Sequence, residues 1–147
     1  MNLSEYINRK NGVPLGHPDS LRNNLQKSLG AKNFSAFWNF WNPIFGYYLG
    51  TKIFRPLKRI FPSAFSLILT FVFCGFVHDI VTTLIRQKIS LFFSVWFLLM
   101  AIFVIVSKKI NYDFSNQTWF LRAFVNLSLI GTCFFLTKYL NTLLNFY

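Results

Sequence analysis

A chain of 147 residues is the size of one domain, yet 54% of it is hydrophobic and 20 residues are Phe. That excludes an ordinary soluble domain, which needs more polar surface, and uncharged runs long enough to cross a bilayer define an all-α integral membrane protein. The net charge of +11, from 15 Lys and Arg against 4 acids, flanks the apolar segments. Placed there, it excludes nucleic acid as a partner and fits the rim of a membrane with anionic lipid.

Residues 1–33 are polar and lack the apolar stretch of a signal peptide. Pro18-Asp19-Ser20, then Leu21, Leu25 and Leu29, closed by Gly30, predicts a short capped amphipathic helix suited to a membrane surface. Arg22 and Lys27 fall off its apolar stripe. Residues 34–147 form the membrane domain. Its first part is uncharged up to Thr51 and dominated by aromatics, but Asn39, Asn42, Pro43, Gly46 and Gly50 interrupt it. Pro43 removes a backbone donor and disfavours helical geometry at Asn42, so a kinked re-entrant or interfacial segment is expected. A basic collar follows, from Lys52 to Arg59. If it is helical, Arg55, Lys58 and Arg59 share a face.

About three transmembrane helices come next, over 61–85, 89–107 and 119–139. Arg122 and Lys138 can snorkel at the ends of the third. Nine basic residues precede the first span. With Lys108, Lys109 and Arg122 they make twelve on one side, against Arg86, Lys88 and Lys138 on the other. The split predicts a cytoplasmic N-terminus and an outside C-terminus. Cys74 and Cys133 both lie inside spans, with neither disulfide-framework nor metal-ligand spacing, and read as small core residues.

One titratable group interrupts the first span. His78 sits in Phe73-Cys74-Gly75-Phe76-Val77-His78-Asp79, and no charge occurs between residues 60 and 77. An imidazole at bilayer depth is costly and marks a functional site, although it can also simply donate to a carbonyl of a neighbouring helix. Asp79 lies one step round the helix and cannot share the face of His78. It is expected to cap, or to pair with Arg86, rather than relay protons. Cys74, at i−4, shares the His78 face as packing or as a thiol nucleophile. Gly75 permits close approach of a substrate or another helix. Asn42 before Pro43 fits a turn or cap as well as a site. His17 lies in a Gly-Pro loop and is expected to be solvated.

Phe37-Trp38-x-x-Trp41-Asn42, then Arg55-Pro56-Leu57, then Phe73-Cys74-Gly75-Phe76-Val77-His78 resembles the membrane-bound O-acyltransferase (MBOAT) family over residues 28–80. In that family an aromatic motif ends in Asn or His, and a membrane-embedded His follows a Phe and a small residue. The resemblance implies a short bacterial member of the inner membrane, covering the catalytic core. Members of the family are longer, with more spans enclosing a tunnel, so three spans imply an oligomer, a partner membrane protein or a degenerate remnant of the family.

The resemblance further implies transfer of an acyl group from a thioester, acyl-CoA or an acyl carrier, to a hydroxyl acceptor, with no other cofactor or metal. His78 is then the general base, since imidazole titrates near neutrality and burial favours its neutral form. Asn42 is the orienting or oxyanion group, its NH2 donating to the carbonyl where negative charge develops. Lys52, Arg55, Lys58 and Arg59 would meet donor phosphates or anionic lipid; a collar of this kind is also an ordinary topology signal. A second function remains: a non-catalytic membrane subunit or scaffold with an MBOAT-like core that binds partner membrane proteins. A small transporter is a third, without the inverted repeat that transporters favour.

Overall fold

Pro62, Gln87 and Asn111 punctuate the apolar part of the chain into helices. The computed structural model describes residues 1–144, which are helical with no strand among them. Three helices are long and apolar enough to cross a membrane: α6 (Ser63–Arg86), α7 (Phe92–Ile110) and α8 (Trp119–Leu144), with mean hydropathy of 2.0, 2.0 and 1.6. At about 1.5 Å rise per residue even α7 reaches about 28 Å, close to the hydrocarbon thickness of a bilayer. The expected spans shift at their ends for local reasons. Pro62 is extended (φ −55°, ψ 150°) and delays α6 to Ser63. Gln87 and Asn111 turn left-handed (φ 53° and 54°) and stop α6 and α7. Ser90 Oγ accepts from the Phe92 N–H at the start of α7. α8 runs past 139 to Leu144 because no breaker intervenes.

α7 lies between α6 and α8. It meets α6 at Gly75, where a Cβ would lie 2.5 Å from the Phe93 carbonyl oxygen, so only glycine permits this approach. Gly75 therefore admits a helix rather than a substrate. One turn on, the Asp79 carboxylate accepts from the Phe93 N–H (2.8 Å) and the Ser94 N–H (2.7 Å). It is 2% exposed. The first N–H groups of a helix have no partner within it, and a carboxylate at that end also meets the positive pole of the helix. Asp79 thus caps, but it caps the next helix; among the described residues no ion pair joins it to Arg86. α8 holds α7 through Trp96, whose indole N–H donates to the Ile130 carbonyl (3.3 Å). Met100, Val104 and Cys133 bury together with Phe34 and Phe37 as the core.

The polar N-terminus carries a helix that the hydrophobic pattern does not mark, α1 (Leu3–Asn11). It starts in a capping box of Asn2 and Glu5 and ends at Gly12 (φ 79°). α2 (Ser20–Leu29) has the expected bounds, but Asp19 makes no side-chain cap bond. It packs through more than its leucine stripe, of which Leu29 lies against the core and Leu25 is partly buried. Leu21 is 69% exposed, whereas Asn24 and Ser28 are buried. Asn24 is held there by donating to the Phe40 carbonyl, and the Ser28 hydroxyl satisfies itself on the Asn24 carbonyl of its own helix.

The exit of α2 is clasped by the chain around the start of α8. Asn126 Nδ2 donates to the carbonyls of Leu29 and Ala31 (both 3.0 Å), and the Trp119 indole N–H donates to that of Gln26 (2.9 Å). A side chain at Gly30 would collide with the Trp119 ring. Lys32 pairs with Asp113 (2.6 Å), and the Phe34 N–H donates to the Tyr112 hydroxyl (3.0 Å). The end of α2, residues 26–34, and the α7–α8 loop therefore share one end of the molecule.

Candidate functional site

The aromatic segment folds as a helical hairpin against α6 and α7. α3 (Phe34–Phe40) begins at Asn33, whose Oδ1 accepts from the Ala36 N–H (2.8 Å). Phe34 and Phe37 stack (5.9 Å, 13°) and are buried, and Trp38 meets Phe71 of α6 edge-on (5.0 Å, 73°). Helical geometry ends at Trp41 (ψ 128°), and Asn42 before Pro43 is left-handed (φ 40°). Pro43 then opens α4 (Pro43–Tyr48), a position where its missing N–H costs nothing. A π-helical turn, Leu49–Phe54, and the short α5 (Arg55–Lys58) lead back to α6. The π-turn falls where Pro56 has no N–H to return to the preceding turn. The hairpin thus leaves from the Tyr112 end, bends beside His78 and returns to the start of α6 at the same end.

His78 is half-buried. Its ring lies edge-on to Phe97 (5.4 Å, 62°) and Phe93 (5.5 Å, 61°) of α7, with Phe45 of the hairpin at 6.4 Å. The imidazole makes no hydrogen bond to another described residue, so donation to a neighbouring helix carbonyl is not its role here. It faces a cavity of about 250 Å³, walled by Trp38, Trp41, Phe45, Phe71 and Phe97. Asn42, Thr70 and Cys74 also line it. The Thr70 hydroxyl is spent on the Ser66 carbonyl (2.7 Å). Asn42 caps α4 with its carbonyl oxygen, which accepts from the Phe45 N–H (3.2 Å). Capping sets the amide's orientation and leaves its NH2 without a partner among the described residues. The side chain thus makes the expected cap and also lines the cavity with His78. Cys74 lies buried on the same wall as His78.

Of the four basic collar residues, two come together. Arg55 and Lys58 line a second recess of about 360 Å³ with Tyr6, Tyr47 and Thr51. Lys52 and Arg59 are exposed and outside it. The two spaces share Gly46, Gly50 and Phe54. Tyr6 comes from α1, which packs on the hairpin through its ring contact with Tyr47 (5.5 Å). Burial pushes the Tyr6 phenol above its ordinary value, against the opposing pull of Arg9 and Arg55. Burial likewise lowers the neighbouring Lys10, helped by Arg9, and its ammonium sits over the rings of Phe40 and Tyr6. His17 is partly exposed and its Nδ1 accepts from the Asp19 N–H (3.2 Å), so it is a loop brace as well as a solvated group.

Sequence reasoning passed over Tyr6, Phe93 and Phe97. Asn2-x-x-Glu5 followed by Gly12 is a helix signature and would have found the element bearing Tyr6. Nothing distinguishes Phe93 and Phe97 from the many other Phe residues until the helices are paired. Comparison with family models, with curated proteins and with solved structures finds no match to this chain.

Proposed function

We propose that this chain is an integral membrane acyltransferase that moves an acyl group from a thioester to a hydroxyl. The carrying observation is that Asn42 and His78, from separate elements, line one aromatic cavity. The residue pattern resembling membrane-bound O-acyltransferases supports the same reading. His78 takes the proton from the acceptor hydroxyl as its oxygen attacks the thioester carbon. Asn42 donates its free NH2 hydrogen to the carbonyl oxygen as that oxygen becomes negative. The carbon–sulfur bond then breaks, and the imidazolium returns the proton to the departing thiolate. Products are an ester and a free thiol. Arg55 and Lys58 receive the phosphates of acyl-CoA or of an acyl carrier, next to the apolar cavity that takes the acyl chain. The twelve-to-three distribution of basic residues supports a cytoplasmic N-terminus in a bacterial inner membrane, and the hairpin is read as re-entrant.

The test is acyl transfer from labelled acyl-CoA in membranes containing the protein. His78→Ala is expected to lower the rate on the order of 10²–10⁴-fold, the usual value of a general base. Asn42→Ala is expected to lower it on the order of 10²–10³-fold, as for one oxyanion donor. Activity that survives His78→Ala unchanged refutes the assignment. A second reading, a non-catalytic subunit that binds a partner membrane protein, is favoured by one observation. The cavity wall on the hairpin side is incomplete, with Trp41 and Phe45 about 40% exposed. A partner or a second copy would close it. Wild-type protein inactive with every donor, whose variants change only partner binding, would establish that reading instead.

A further inference from the structure

The three basic residues that the topology rule leaves over meet at one place. Arg86 ends α6, Lys88 lies in the following turn, and Lys138 is near the end of α8. All three line a recess of about 730 Å³ at the end of the helices opposite the N-terminal segment. The remaining lining includes Phe92, Phe93 and Phe134. Among the described residues no acidic side chain lines it, and the nearby Asp79 is occupied by the Phe93 and Ser94 N–H groups. None of the three cations forms an ion pair among the described residues. Their mutual repulsion is relieved by an anion placed between them. Three Phe side chains offer nothing to a small soluble anion but suit an amphiphile. The flanks are apolar too, with Leu84, Ile85 and Ile89 74%, 77% and 80% exposed.

We propose that this recess binds the phosphate group of an anionic phospholipid, held by Arg86, Lys88 and Lys138, with its glycerol and upper acyl chain on Phe92 and Phe134. The proposal rests on the membrane placement proposed above and is independent of acyl transfer. Resistance of the protein to extraction from membranes by alkaline carbonate tests that placement separately.

The experiment is lipid titration of the full chain in neutral detergent, read by native mass spectrometry. Phosphatidylglycerol is compared with phosphatidylcholine, and inorganic phosphate is added as a soluble competitor. Wild type is expected to retain phosphatidylglycerol preferentially, with phosphate competing only weakly. The triple variant Arg86→Gln, Lys88→Gln, Lys138→Gln is expected to lose about a hundredfold in affinity, and Lys88→Gln or Lys138→Gln alone about fivefold, the usual effect of one cation near an anionic headgroup. Lys108→Gln with Lys109→Gln, at the other end, should leave this binding unchanged. Equal retention of both lipids, unchanged affinity in the single and triple variants, or competition by inorganic phosphate at comparable concentration would each overturn the proposal.

Discussion

Gly75→Ala sets two known effects against each other. In an isolated helix the change favours the helical state by about 0.5–1 kcal/mol, because glycine loses more backbone freedom. Here the new methyl would lie 2.5 Å from the Phe93 carbonyl oxygen and 2.8 Å from both the Phe93 carbonyl carbon and the Ser94 Cα. All three are backbone atoms and cannot rotate away. Relief to an ordinary contact of 3.4 Å requires α6 and α7 to part by about 1 Å (3.4 minus 2.5). Overpacking of this kind costs about 1–3 kcal/mol. The same separation stretches the Asp79 bonds, now 2.8 and 2.7 Å, beyond hydrogen-bond range, adding about 1–3 kcal/mol for buried donors left short of an acceptor. The collision wins, and a net loss of about 1–5 kcal/mol is expected. Reversible unfolding in mixed micelles measures it. A variant as stable as wild type, or more stable, would refute the close approach of α6 and α7.

Asp79→Ala should destabilise by about 2–4 kcal/mol in the same assay, since two N–H groups lose their acceptor in apolar surroundings. Asp79→Asn should fall between wild type and Ala, because one carbonyl oxygen remains; equal losses for both would deny the capping role. The Lys32–Asp113 latch gives a pH prediction. The Lys32 hydrogen bond, with further donation from Ser115, holds the Asp113 carboxyl well below the usual carboxylate range. A lowered folded value means that the latch contributes above the unfolded value of about 3.9 and is lost only as pH falls through the folded one. Protease cleavage near residues 30–33 should therefore be constant from neutral pH down to about 5 and rise only in strong acid. Asp113→Asn should raise it already at neutral pH, by a small factor because the pair is exposed.

The three long helices were legible because uncharged apolar runs between basic clusters admit few other structures. Asn42 was legible as a cap, since Asn before Pro restricts the backbone, and its amide also lines the cavity. Other features depend on pairing, which composition does not encode. Asp79 reads locally as a charge near Arg86; its real partners are N–H groups on a helix that begins thirteen residues later in chain order. α2 misleads for a related reason. Its leucine stripe is the obvious face, yet Asn24 is buried because a carbonyl of α3 awaits it. Arg55 and Lys58 line the recess without Lys52 and Arg59 because its other walls are supplied by Tyr6 of α1 and Tyr47 of α4, elements whose packing the collar's own spacing does not show.

With the membrane placement proposed above, the Asp79 cap also bears on how such a chain would be made. In a growing polypeptide α6 emerges first, carrying a carboxylate that has no acceptor-seeking donors of its own helix to satisfy it. Left alone in hydrocarbon, that group would hold α6 at a water-filled or protein-lined site. Its partners arrive only with Phe93 and Ser94, so relief of that penalty by hydrogen bonding waits for the second span. α6 and α7 should then leave the insertion machinery together, as a hairpin, and truncation before Phe92 should strand α6 outside the lipid phase.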